Sequence, residues 1–237
     1  MEAFNFSTIG IIHSCYKEKF GIPRQSGLVT EAKAQLTLKD DFSEESIRGL
    51  QSFSHLWLNF VFHGHQNDGW KELVRPPRLG GNAKMGVFAT RSTFRPNPIG
   101  LSVVKLDNIE LNKSQVILHL SGCDLLDGTP VLDIKPYLPY VDLIPDAKGG
   151  FAQNKPENTQ EIVFTNEADL QCQQANQRLG QDIKLVVIQI LQLDPRPSYQ
   201  QGNSGVRVYA MKLYDFDLKW QYCENKQIKV LCLEVVK

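Results

Sequence analysis

The first 140 residues break, at nearly regular intervals, into short runs rich in β-branched and aromatic side chains. These runs lie near 5–14, 28–38, 54–63, 85–92, 99–109, 115–121 and 131–135, each followed by turn residues. Strands this short cannot bury a core singly, and their even spacing points to a barrel or a sandwich. In 54–63, Leu56, Leu58, Phe60 and Phe62 alternate with His55, Trp57, Asn59, Val61 and His63. Both faces are fairly apolar, which predicts a strand paired on both edges. One short helix is expected from 43 to about 50, with Ser43 as N-cap and Glu44 and Glu45 in its first turn.

Past residue 145 the composition shifts to Gly, Asn, Pro and Gln, so 146–165 reads as a linker. The remainder, 166–237, reads as a smaller α/β domain. Residues 166–179 have helical spacing, anchored by Leu170, Ala175 and Leu179. Residues 181–193 form a second helix or a buried segment, ended by Asp194-Pro195. Strands follow near 206–214, 216–222 and 228–236. The fold expected is a mainly β barrel over 1–145 followed by a small α/β domain.

Charge narrows the partners. The chain has 26 basic and 26 acidic residues, so nucleic-acid contact must use local patches. Residues 73–106 supply one: six Lys or Arg (Arg75, Arg78, Lys84, Arg91, Arg95, Lys105) and no Asp or Glu. The same stretch holds Pro76-Pro77-Arg78-Leu79-Gly80-Gly81-Asn82 and Arg95-Pro96-Asn97-Pro98-Ile99-Gly100, whose prolines and glycines fix loops. Rigid loops with held arginines suit an anionic ligand or a phosphate backbone; the plainer reading is a solvated basic surface. Five cysteines, an odd number with no CxxC pair, indicate free, mostly buried thiols in a reducing compartment. With no signal-peptide pattern and no apolar run long enough to span a bilayer, a cytoplasmic protein is expected.

Several familiar sites are missing. Gly80-Gly81 followed by Gly86 is neither GxGxxG nor a P-loop, so a nucleotide-like cofactor would bind by a non-Rossmann route. His63-Gly64-His65 offers two ligands, but no further group stands at a metal-like spacing, and no metal is expected. Asp124-Leu125-Leu126-Asp127-Gly128-Thr129-Pro130 is a turn whose carboxylates and amides suit a diol or an amine. Pro23-Arg24-Gln25 is a second loop with a fixed arginine. Asp194-Pro195-Arg196-Pro197-Ser198-Tyr199 reads either as a rigid helix stop or as a charged, aromatic tip for a base or phosphate.

Longer runs carry a resemblance. Phe53-Ser54-His55-Leu56-Trp57, the 76–82 loop, Gly86-Val87-Phe88-Ala89-Thr90-Arg91-Ser92, the 95–102 loop and Asp127-Gly128-Thr129-Pro130 through Tyr137 are similar to the TsaA-like (TrmO) family. Asp194-Pro195-Arg196-Pro197 and Tyr214-Asp215-Phe216-Asp217 resemble the bacterial members that carry an added small domain. The resemblance covers nearly the whole chain. It implies a non-Rossmann β-barrel methyltransferase that uses S-adenosylmethionine. The implied acceptor is N6 of N6-threonylcarbamoyladenosine at position 37, beside the anticodon of threonine tRNA. It also implies homodimers with the cofactor near the subunit boundary.

Carried over by motif, the cofactor would meet Pro23, Arg24, Gln25, His63, Gly64, Arg91, Leu101, Asp124, Leu125, Leu126 and Asp127. Arg91 or Arg24 suits the methionine carboxylate, and Asp127 or backbone amides the diol or amine. Asp194 and Asp127 are the candidate bases for the N6 proton. Arg95 and Asn97 would orient the threonyl carboxylate or a phosphate, while Arg196 and Tyr199 would contact the anticodon loop. The rivals are a non-catalytic RNA-binding barrel and a methyltransferase with another RNA or a small-molecule acceptor.

Overall fold

The computed structural model describes residues 3–65, 69–113, 115–157, 160–196, 207–223 and 227–236. Six strands close the barrel: β1 (Gly10–Ser14), β2 (Lys33–Leu38), β3 (His55–Val61), β6 (Ile99–Asn112), β7 (Gln115–Ser121) and β8 (Pro130–Pro136). Around the barrel they run β1-β2-β7-β6-β3-β8, and every pairing is antiparallel. Closure leaves no strand edge unpaired. Ile12, Leu36, Leu56, Leu58, Leu118 and Leu120 fill the interior. As the alternation in 54–63 predicts, β3 is paired on both sides, with Leu56, Leu58 and Phe60 turned inward.

Three N-terminal expectations change. The run at 85–92 is not a barrel strand. Met85–Gly86 (β5) pairs briefly with Leu73–Val74 (β4), and Val87–Ala89 is a 3₁₀ turn. The glycines and prolines around it favour a loop. The runs at 5–14 and 28–38 shorten to β1 and β2. The helix expected at 43–50 is two 3₁₀ turns, Glu44–Ile47 and Leu50–Ser52, separated by Gly49 in the left-handed region (φ 87°), and the Ser43 side chain makes no cap. After β8, Pro139–Asp142 forms a single helical turn, α1.

The C-terminal sheet has the order β10-β11-β12-β9, from Val208–Leu213, Phe216–Tyr222, Gln227–Val235 and Glu161–Phe164 respectively. β9 falls inside the stretch read as linker; its four residues run parallel to β12. Asn166–Leu179 (α2) starts on Thr165, whose side chain accepts from the Ala168 amide, and stops at Gly180 in the left-handed conformation. Ile183–Gln192 (α3) is both helix and buried segment, capped by Asp182 and burying Ile183, Val186, Val187, Ile190 and Leu191. Trp220, Phe216 and Leu218 of β11 complete this second core. Cys15, Cys123 and Cys172 are buried, Cys223 and Cys232 half-buried, and all five are free thiols. No helix among the described residues is long and apolar enough to cross a membrane.

Candidate active site

A cleft of ≈ 470 Å³ opens at one end of the barrel. Four separate segments build it: 19–25 after β1, 60–64 at the end of β3, 90–102 leading into β6, and 124–129 before β8. Pro23, Arg24, Gln25, His63, Gly64, Arg91, Leu101, Asp124, Leu125 and Leu126 all line it, as does Arg95. Asn97 and Asp127 do not. Gly100 is required in the wall, because a Cβ there would lie 2.2 Å from the Phe60 ring. The loops are tied across the cleft by Arg91 to Gln25 Oε1 and by Lys19 Nζ to the Gly64 carbonyl.

Among the described lining residues four are cationic (Lys19, Arg24, Arg91, Arg95) and one, Asp124, is acidic. Buried side-chain atoms without a hydrogen-bond partner are Tyr16 Oη, Trp220 Nε1 and Asp124 Oδ1 among the described residues. The first two lie in the C-terminal core, whereas Asp124 faces the cleft. Burial pushes the Asp124 carboxyl up to about 6, against the lowering effects of the Ser102 hydroxyl and the Arg91 charge. A carboxylate with one oxygen buried and unpaired is costly in its charged form, which is why its pKa rises. The cleft therefore suits a molecule with an anionic end for an arginine, a cationic or hydroxyl donor for Asp124, and an apolar body for Ile22, Phe60 and Leu125.

The remaining expected residues sit elsewhere. Asp127 accepts from the Ser14 amide at 2.9 Å and pairs with Lys17 at 2.8 Å, so it braces the turn instead of facing the cleft. Asp194 has a left-handed backbone (φ 46°). Its carboxylate accepts from Arg196 Nε and Nη2 and from the Tyr222 hydroxyl, each at 2.8 Å. Burial alone raises the Asp194 pKa, but these donors hold the carboxyl below the usual range. A carboxylate so occupied is a poor proton acceptor.

Arg196 is only 6% exposed and lies 3.4 Å above the Tyr222 ring. Its sequence context suggests an exposed tip, whereas the side chain is buried against Tyr222 and paired with Asp194. Tyr199 and Pro197 lie outside the described residues. Arg95 donates to the Val87 and Thr90 carbonyls at 3.3 and 2.9 Å, which fixes the 87–95 loop. Asn97 is exposed. Sequence reading missed Lys19, Phe60, Phe62 and Ser102. A signal existed for Phe60 and Phe62, which share the parity of the apolar positions of 54–63 immediately before His63; Lys19 had none.

Among the described residues no group of three or more His, Cys, Asp or Glu gathers at metal-binding distance. Two family models match the chain: the tRNA-methyltransferase O N-terminal domain over residues 11–143 and the TrmO C-terminal domain over 157–236. The tRNA (adenine(37)-N6)-methyltransferase of Escherichia coli is 49% identical over 93% of this chain and 94% of its own length. A Pseudomonas aeruginosa protein, RcsF, named as a candidate S-adenosylmethionine-dependent methyltransferase, is 47% identical over 95% of both chains. A TrmO crystal structure from the same species superposes with a TM-score of 0.82 at 40% identity, covering 98% of both chains.

Proposed function

The chain belongs to the TrmO family, and we propose that it methylates N6 of N6-threonylcarbamoyladenosine at position 37 of threonine tRNA. At the level of the family it is an S-adenosylmethionine-dependent tRNA (adenine(37)-N6)-methyltransferase. The observation that carries the reading is the cleft, where Asp124 is the one acidic side chain beside four cations among the described lining residues.

S-adenosylmethionine supplies an activated methyl on sulfonium, so the protein's task is alignment and proton removal. Its donor and acceptor groups fit the residues present. Arg24 or Arg91 suits its carboxylate, and Asp124 its ammonium or a ribose hydroxyl. Phe60, Leu125 and Leu126 exclude water along its apolar parts. The ureido N–H of the modified base is more acidic than an adenine amine and needs only a weak base. Neither Asp127 nor Asp194 faces the cleft with a free lone pair, so the base role proposed for them from sequence finds no support in their hydrogen bonding.

Phosphate contact is assigned to the exposed Arg75, Arg78 and Lys84 beside the cleft loops. A homodimer is inferred too. The cleft rim exposes apolar Phe88 (74%), Ile99 (40%) and Leu101 (49%), which a second subunit would cover.

The test is labelled S-adenosylmethionine with threonine tRNA, carrying or lacking the threonylcarbamoyl group. Methyl transfer to the modified tRNA alone is the expected result. Cofactor binding without transfer redirects the search to another acceptor, and failure to bind cofactor favours a non-catalytic RNA-binding barrel.

A further inference from the structure

One wall of the cleft does not belong to the barrel core. After β1 the chain leaves the barrel, and Cys15, Tyr16, Val29 and Ala32 are buried in the core of the C-terminal domain, with Phe20 and Ile22 packed against it. Tyr16 forms a bridge with Leu213 at the end of β10, and the Tyr214 amide donates to the Cys15 carbonyl at 2.8 Å. Phe20 stacks on Trp220, centroids 5.9 Å apart and planes within 10°. Gly21 is left-handed (φ 87°), and a Cβ there would lie 2.6 Å from Met211 Sδ. On the far side of the loop, the Glu31 amide donates to Gln189 of α3 at 3.1 Å. The cleft-lining residues 22–25 hang between these attachments.

The barrel holds the same loop by polar contacts. Among them are Lys19 to Gly64, Arg91 to Gln25, the Gly27 amide to the Gly122 carbonyl at 2.9 Å, the Gly122 amide to the Ala32 carbonyl at 3.1 Å, the Asp127 amide to the Tyr16 carbonyl at 2.9 Å and Lys17 to Asp127 at 2.8 Å. The Lys19 and Arg91 bonds next to the cleft are exposed and exchange with water, whereas a stacked pair packed against a core resists displacement. A second link is electrostatic. Enclosure in the cleft lowers the Arg24 pKa, and the Asp194 charge, from the C-terminal domain, opposes it.

We propose that the C-terminal domain positions the cofactor loop, through Phe20 on Trp220 and Gly21 against Met211. These four are positioning residues: they touch neither reactant, and they act by holding Pro23, Arg24 and Gln25 in the wall. The inference rests on the S-adenosylmethionine reading of the cleft. It gives the C-terminal domain a role in cofactor affinity, distinct from any contact with RNA.

Calorimetric titration of the full-length protein with S-adenosylmethionine tests it, beside tRNA retention on filters and circular dichroism. Gly21→Ala is expected to weaken cofactor binding about tenfold while tRNA affinity and kcat at saturating cofactor stay within about twofold. Adding Met211→Ala makes room for the new methyl and is expected to recover about threefold of the loss, the left-handed strain remaining. Should Gly21→Ala fail to fold, Phe20→Leu keeps an apolar side chain but removes the stack, with about threefold weaker cofactor binding expected. Cofactor affinity within about 1.5-fold of wild type in either folded variant overturns the proposal, as does an equal fall in cofactor and tRNA affinity. Wild-type protein that does not bind the cofactor overturns the underlying reading instead.

Discussion

Two aspartates, seventy residues apart in sequence, show opposite solutions to carrying a charge out of water. Asp194 is saturated: a bidentate arginine, a tyrosine hydroxyl and the stacking of that arginine on the same tyrosine enclose it. Asp124 keeps one oxygen shut off from solvent without a hydrogen-bond partner, and only the Ser102 hydroxyl, nearby backbone amides and the Arg91 charge oppose the burial of its carboxyl. Their pKa values move apart accordingly, Asp194 downward and Asp124 up to about 6. A satisfied buried charge stabilises a fold, whereas a half-buried carboxyl with a raised pKa at the wall of a cleft marks a candidate ligand contact.

The largest effect expected from breaking this contrast is on stability at Asp194. Asp194→Asn leaves Arg196 buried without its counter-charge and should cost about 3 kcal/mol, read as a lower urea midpoint. The matching change, Asp124→Asn, should leave the urea midpoint at pH 7 unchanged or raise it, because it removes an unfavourable buried charge. The same variant should weaken S-adenosylmethionine binding about 30-fold, ~2 kcal/mol, measured by calorimetry. Destabilisation by Asp124→Asn with normal cofactor affinity would reverse the two roles.

pH sharpens the comparison with a smaller effect. If ionised Asp124 accepts from the cofactor, affinity should hold at pH 7–8 and fall by up to about tenfold per unit below pH 6. In the free protein the sign for stability is opposite. A raised pKa favours folding fully below about 4 and loses that contribution as pH rises through 6. Asp194, with its pKa lowered, contributes above its unfolded value and loses that contribution only as pH falls below 3.8 toward its folded pKa. Cofactor affinity that is flat from pH 5 to 8 would separate Asp124 from the ligand.

Much of the site was readable because its motifs are local. Ten of the eleven residues assigned to the cofactor from motif resemblance line the cleft, and the exception, Asp127, misses because its carboxylate turns to Lys17 and the Ser14 amide. Arg196 misled for a different reason. Beside Asp194 and two prolines it reads as a solvent-facing tip, and nothing nearby in sequence announces that Tyr222 will lie beneath its guanidinium. β9 escaped notice because four residues in a polar stretch carry almost no period, and its partner, β12, comes more than sixty residues later.

The amino-acid sequence by itself determined the strand-rich first half, the helical spacing of 166–179, and the loops that bear the arginines. Those are near-neighbour properties: alternation, helical period, and the φ preferences of glycine and proline. Only the tertiary structure decided which charges are satisfied and which are left open, and that the C-terminal core grips residues 15–32. Such outcomes depend on which distant donors and side chains arrive at the same place, and the low dielectric of a buried site magnifies them.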